Sequence, residues 1–479
     1  MRHLHRLFLL SLPSLALFAT GCGGGSGTVI GSTAQTITFN NPGTQTVGAP
    51  LTLSATANSN LAVSFASVTP SVCTVSGTTA TFETAGGCTI EASAGGNSTY
   101  APAAQVVQSF IVNPAIAPNT TIYIVGEVGP LEGPYVAEEW RLTSGSPTAT
   151  ATALPTPSGM TSALAGAVAV SGSDVYVGGT ASNGTNQTAA VYWLNNGAAT
   201  TLPMPSGTSD SSSSVGSIAV SGNNVYIAGA AWDGNNNNQN GNAVLWVNGA
   251  ATILTPPSGM AFSAANAIAV SGSNVYVAGM AWNTDSDESA VLWVNGVATL
   301  LPLPSGLTGN YTANGVAVSG GNVYVVGNNM SNTNYSTNAI SWVNNGAAAT
   351  LTIPPYDNAL YSSANAITAS GGNVYVAGDI SVSTDPLTTN TSQFAVYWPA
   401  NGEATNLLLP SGMAISPVGA AASGIAFSGS DMYTVGYVST NTGQIAAYWV
   451  NNGTATLLPA PNNNNTSWAW VNAITVATQ

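Results

Sequence analysis

Seven tyrosines and seven tryptophans alternate through the last three quarters of the chain: Tyr123, Tyr176, Tyr226, Tyr276, Tyr324, Tyr375 and Tyr433, followed in turn by Trp140, Trp193, Trp246, Trp293, Trp342, Trp398 and Trp449. Each tyrosine sits in a V-Y-[VI]-x-G-like segment, and successive tyrosines lie 53, 50, 50, 48, 51 and 58 residues apart. A period in that range marks sheet-built blades set around an axis and not helical arrays.

One copy, residues 266–306, shows the unit. Four short strands are predicted at 267–271, 274–279, 290–294 and 298–303, rich in Val, Ile, Tyr, Trp and Thr between Gly and Asn turns. Gly272-Ser273 and Asn295-Gly296 suit tight hairpins because both pairs tolerate positive φ. The apolar run 275–278 fits a sheet covered on both faces by neighbouring blades. The first copy begins at its second strand, and the missing piece stands at the other end of the chain. Asn472-Ala473-Ile474-Thr475-Val476 reads like Asn266-Ala267-Ile268-Ala269-Val270. The C-terminal strand is therefore predicted to complete the first blade and close a ring of seven, which removes exposed sheet edges.

A glycine after the second strand and a Leu-Pro-x-Pro stretch after the fourth make this segment resemble the kelch and galactose-oxidase-type propellers. Only Gly178-Gly179 shows the kelch double glycine, the tryptophan sits on the third strand, and the arginines common in kelch repeats are missing. The resemblance implies the fold and leaves the chemistry open.

Residues 1–21 carry Arg2 and Arg6, an apolar run from Leu7 to Phe18 and small residues before Cys22, the pattern of an export signal. Ala19-Thr20-Gly21-Cys22 resembles the bacterial lipobox, with Ala19 where leucine is usual. The resemblance implies a lipid on Cys22, followed by a glycine-rich tether over 22–34, and Gly23 in the next position implies sorting to an outer membrane. The alternative is an ordinary secretory signal with an incidental cysteine.

Residues 35–113 form a different unit, with seven short strands predicted in about 80 residues, which suggests a β-sandwich. The run from QTITF through VSFASVTPSVCTVSG to CTIEASAGGNSTY resembles the bacterial Ig-like modules of surface lipoproteins, which mostly act as spacers. With Cys22 assigned to lipid, Cys73 and Cys88 remain, and outside the cytoplasm a disulfide between them is the natural reading against two separate buried thiols. Residues 114–120 are a linker and 121–479 the propeller. The expected fold is all-β, an Ig-like sandwich followed by a seven-bladed propeller.

Composition excludes several chemistries. After cleavage before Cys22 one basic side chain remains, Arg141, with no lysine or histidine. That removes histidine-dependent nucleophiles, ordinary zinc centres, galactose-oxidase-type copper sites, P-loops and sialidase-type arginine clusters. Nucleic acid is excluded as a partner because phosphate binding rests on Lys and Arg. Seventeen carboxylates against one arginine leave a formal charge of −16.

The second-to-third and blade-to-blade links vary in length and residue type, and in a meander both emerge on one face, where function on a rigid scaffold usually lives. Twelve of fifteen propeller carboxylates fall in or beside those links, Glu127, Glu138, Glu139 and Asp379 among them, so an acidic loop face is expected. Two clusters stand out. Trp232 with Asp233, and Trp282 with Asp285, Asp287 and Glu288, occupy matching positions in adjacent blades. The acids are candidate Ca²⁺ ligands, most of all Asp285, Asp287 and Glu288, although an EF-hand glycine is missing. The tryptophans are candidate sugar-stacking platforms or packing between blades. The expectation from sequence is a non-catalytic, lipid-anchored surface protein, without a cofactor unless Ca²⁺, whose propeller binds a protein or glycan for adhesion. A carbohydrate-binding propeller and a carboxylate-dependent glycoside hydrolase or lyase are the alternatives.

Overall fold

The computed structural model describes residues 32–478 except 131–132, 145, 147, 185–186, 207–209, 234–239, 332–335, 356–358, 384–390, 400–401, 410–414, 442, 452 and 460–467. The export signal and Cys22 lie outside the described residues. Among the described residues the elements are strands, with no helix.

The first unit stacks small sheets over one core. Gln45–Thr46, Val106–Asn113, Gly86–Ser93 and Ser64–Ser67 form a four-stranded sheet, and Leu51–Thr52, Thr79–Phe82 and Cys73–Ser76 a three-stranded one. Cys73 and Cys88 are joined, with Cα atoms 5.8 Å apart. The bond staples one sheet to the other. Closing a loop of 15 residues restricts the unfolded chain by about 3 kcal/mol.

Seven four-stranded antiparallel meanders follow, so the protein is an all-β propeller with a small sandwich before it. Blade 1 combines the strands of 120–153 with the C-terminal strand Trp468–Thr478; blades 2 to 7 occupy 162–201, 210–253, 262–300, 310–350, 359–406 and 415–457. Blades 5 and 6 are further tied by the bridge Thr337↔Tyr361. The closing strand pairs with Thr120–Gly129, setting Ile474 opposite Ile124 and Thr475 opposite Tyr123. It also packs on the first strands of blades 7 and 2, which completes the ring.

The repeated residues are explained by how blades meet. All seven repeat tryptophans are fully buried, and a buried indole N–H needs an acceptor. Each finds it in the stretch after the preceding blade's fourth strand: Pro459, Pro155, Pro203, Thr255, Pro302, Thr352 and Leu408 offer carbonyls at 2.6–2.9 Å. The third-to-fourth turns use asparagine in the left-handed region, as at Asn248 (φ 50°) and Asn295 (φ 51°), a conformation its short polar side chain tolerates. Their Oδ1 atoms accept from Val225 and Val275 N–H at 2.9 Å, binding the two tight turns of a blade together.

Candidate functional site

The first strand of every blade carries a one-residue bulge, at Gly166, Gly216, Asn266, Asn314, Asn365, Ser423 and Asn472. A bulge re-aims the side chain of its extra residue. These seven positions and the residues after them line a central channel of about 210 Å³. Five of the side chains reach forward to the next blade. Asn266, Asn314, Asn365 and Asn472 donate to the carbonyls of Ala313, Ala364, Ala422 and Ala165 at 2.9–3.1 Å, and Ser423 donates to that of Val471. Gly166 and Gly216 leave two junctions without such a clip.

Two ring amides also hold buried acids. The second-strand residue after the repeat glycine is Glu127, Thr180, Ala230, Met280, Asn328, Asp379 or Tyr437 around the ring. Asn472 Nδ2 donates to Glu127, and Asn365 Nδ2 donates to Asp379 Oδ1 at 3.1 Å. Gln393 Nε2 donates to the other Asp379 oxygen at 2.9 Å, and Tyr437 of blade 7 donates to Gln393 Oε1 at 3.4 Å. Burial pushes the Glu127 carboxyl up to about 7 against the lowering effect of the Asn472 bond, and burial raises Asp379 against its two amide partners. The arc continues into blade 1, where Trp470 Nε1 donates to Gln444 Oε1 of blade 7. Trp470 stands directly opposite Glu127 in the strand pairing, so the two share a face of the sheet. Tyr135 and Trp468 pack on Trp470 with ring centroids at 5.5 and 5.7 Å.

Two more acids lie in the third strand of blade 1. Glu139 is buried and accepts from Arg141 at 3.2 Å and Asn196 at 3.1 Å, the ion pair present among the described residues. Glu138 is 0% exposed and neither of its oxygens has a partner. Burial, and then the neighbouring Glu139, push it up to about 7, so near neutral pH much of it is uncharged. Glu127, Glu138, Glu139 and Asp379 are thus strand residues turned inward and not loop charges, which corrects the expectation that they decorate the loop face.

The predicted clusters fare differently. Trp232 and Trp282 do come together, in an apolar knot with Phe262, Ala264 and Met280 where blades 3 and 4 meet. Trp282 is only 9% exposed and packs on Phe262 at 5.9 Å, which matches the packing alternative more closely than a sugar platform. Asp233 ends the strand Asn224–Asp233 opposite Asp210. Asp285 and Asp287 are exposed on a loop wound around Asn283, whose Oδ1 accepts from both backbone N–H groups at 2.9 and 3.0 Å. Glu288 is half-buried, with its carboxyl raised by burial, and its N–H donates to Asn310. Among the described residues no group of three or more Asp, Glu, His or Cys side chains is placed to hold a metal ion.

The sequence did carry a signal for the channel-mouth residues. Trp468 and Trp470 stand outside the repeat's tryptophan position, and Glu127 and Asp379 put charge where other blades place Thr, Ala, Met, Asn or Tyr.

No family model and no curated relative matches the chain. Among solved structures it is similar to the β-propeller domain of the Trilobed protease from Pyrococcus furiosus, at 10% identity over 73% of this chain and 94% of that one, TM-score 0.40. It is also similar to a quinoprotein alcohol dehydrogenase-like protein from Bacteroides thetaiotaomicron (8%, 91% and 96%, TM-score 0.35) and to Trypanosoma rangeli sialidase (13%, 64% and 56%, TM-score 0.37). Likeness at this level concerns the fold alone. The similar propellers are mostly named as enzymes, arabinanases among them, and the expectation that this chain is not an enzyme is corrected accordingly. The physical reason is that composition removes chemistries built on histidine or lysine and leaves those of carboxylic acids untouched.

Proposed function

We propose that this is an exported protein held at a membrane surface by a lipid on Cys22, with an Ig-like spacer and a kelch-like propeller that binds its ligand around the channel mouth on the loop face. One observation carries the site: the hydrogen-bonded arc Asn365, Asp379, Gln393 and Tyr437, joined by Trp470, Asn472 and Glu127, is continuous in character across blades 6, 7 and 1 and has no counterpart among the described residues of blades 3 and 4. Amide and acid groups of this kind suit a polar protein or glycan ligand. The −16 formal charge disfavours nucleic acid and other polyanions. Outer-membrane sorting follows from Gly23 in the lipobox resemblance.

A second reading, chemistry on a bound glycan, is favoured by the same acids. A carboxyl raised to about 7, as at Glu127, holds its proton near neutral pH and serves as a general acid. The test is a glycan array and a protein-ligand screen on the full chain, repeated with Glu127→Gln combined with Asp379→Asn. Loss of binding by at least tenfold supports the site, and unchanged binding overturns it. Sugar fragments released by the parent chain and not by the double variant support catalysis.

A further inference from the structure

Between the second-to-third connection of blade 1 and the body of blade 2 lies a cleft of about 550 Å³, within the range of small-ligand sites. Tyr135 forms one wall, packed from behind by Trp470 and, through it, Trp468. The tyrosine backbone is fixed by Ser162, whose Oγ accepts from Tyr135 N–H at 2.9 Å and donates to its carbonyl at 3.1 Å. The opposite side presents hydroxyls from Thr161, Thr180, Ser182 and Thr188 beside Leu164. Thr180 accepts from Val215 N–H and Ser182 from Gly184 N–H, at 3.3 and 3.2 Å. An accepting hydroxyl still has its own proton to donate. The cleft is tied to Glu127 through Asn472, whose amide donates both to Glu127 and to the carbonyl of Ala165, next to Leu164 of the lining.

We propose that this cleft is a subsite for a neutral saccharide. The C–H face of a sugar ring packs on an aromatic surface, and its hydroxyl edge exchanges hydrogen bonds with a row of side-chain hydroxyls. No lysine or histidine lies in the propeller, and its one arginine is engaged by Glu139, so an anionic sugar would meet acids without a compensating cation. The uncharged, hydroxyl-rich ligand is the one the lining matches. The inference rests on the loop-face reading above and gives it a ligand class and an address.

The test is affinity electrophoresis and calorimetry of the full chain against soluble β-glucan, xylan, mannan and galactan, with three variants. Tyr135→Ala removes the aromatic wall, Ser182→Leu fills the cleft without touching the core, and Val297→Ser, on a tight turn at the opposite face, is the control. The expected result is binding of at least one polysaccharide, weakened tenfold or more by Tyr135→Ala and by Ser182→Leu, each with an unchanged melting temperature, and unaltered by Val297→Ser. Binding that survives Ser182→Leu overturns the cleft and leaves the channel-mouth site standing, because the double acid variant reports on that separately. No binding to any of the four overturns the saccharide assignment, while the protein-ligand screen still decides the platform reading.

Discussion

Blades 3 and 4, and the arc formed by blades 6, 7 and 1, are built from one repeat yet use the position after the second-strand glycine in opposite ways. In blades 3 and 4 it holds Ala230 and Met280, and the neighbouring Trp232, Trp282 and Phe262 close over them as an apolar knot. In the other arc it holds Asp379, Tyr437 and Glu127, and the surrounding positions turn to amides. The bulge ring divides elsewhere: blade 4 clips to its successor through Asn266, as blades 6, 7 and 1 do through Asn365, Ser423 and Asn472, and the clip-less positions are Gly166 and Gly216 in blades 2 and 3. Where the repeat keeps its pattern the position is apolar and packed; where it departs, buried acids held by amides take its place beside the channel. The proposed site thus lies where the repeat departs from its own pattern.

The strongest way to break this comparison is Trp282→Ala. If the blade 3–4 knot is structural, the variant should lose roughly 3–5 kcal/mol of unfolding free energy, the usual cost of emptying a large aromatic site, with ligand binding in the other arc unchanged once the protein is folded. Denaturant unfolding beside the glycan array reads both quantities.

Next in size is the response to pH. An unfolded glutamate titrates near 4.5, and the folded Glu127 and Glu138 near 7. Below about 4.5 both states are protonated. Between the two values the unfolded chain gives up its proton first, so folding loses stability as pH rises, and the loss is complete above about 7. The expected signature is a melting temperature that falls from pH 5 to pH 8. Glu138→Gln should remove part of that slope and stabilise the protein at pH 8 by up to about 3 kcal/mol. A melting temperature that rises over this interval contradicts the buried acids.

The smallest effect sharpens the ring. A side chain at Gly166 meets only Val215 O, at 3.7 Å, while one at Gly216 would lie 2.5 Å from Ala265 O. Gly166→Asn should therefore add a missing clip and gain about 1 kcal/mol, and Gly216→Asn should lose stability by thermal melting.

Much of the architecture was legible because it is periodic. Tyr123 and Ile474 advertise the shared first blade from opposite ends of the propeller, and they meet as the pattern requires. Strand ends were less legible: the first strand of blade 4 reaches back to Phe262, since the bulge at Asn266 disturbs the alternation without ending the strand. The site was mostly hidden. Asn365 and Asn472 look like turn residues in isolation, and only seven blades in register turn them into a ring. Glu127 and Asp379 read as loop charges because nothing in one dimension shows that a neighbouring blade covers them. Trp232 and Trp282, the tryptophans that look most like ligands, are those the packing claims.

The strand Thr120–Gly129 receives the chain from the sandwich and is gripped along both edges, by Val136–Thr143 and by Trp468–Thr478. A pull arriving from the N-terminal side runs along that strand, so its flanking hydrogen bonds carry the load together and do not open one at a time. The seam of the ring is thereby loaded in shear along its whole length.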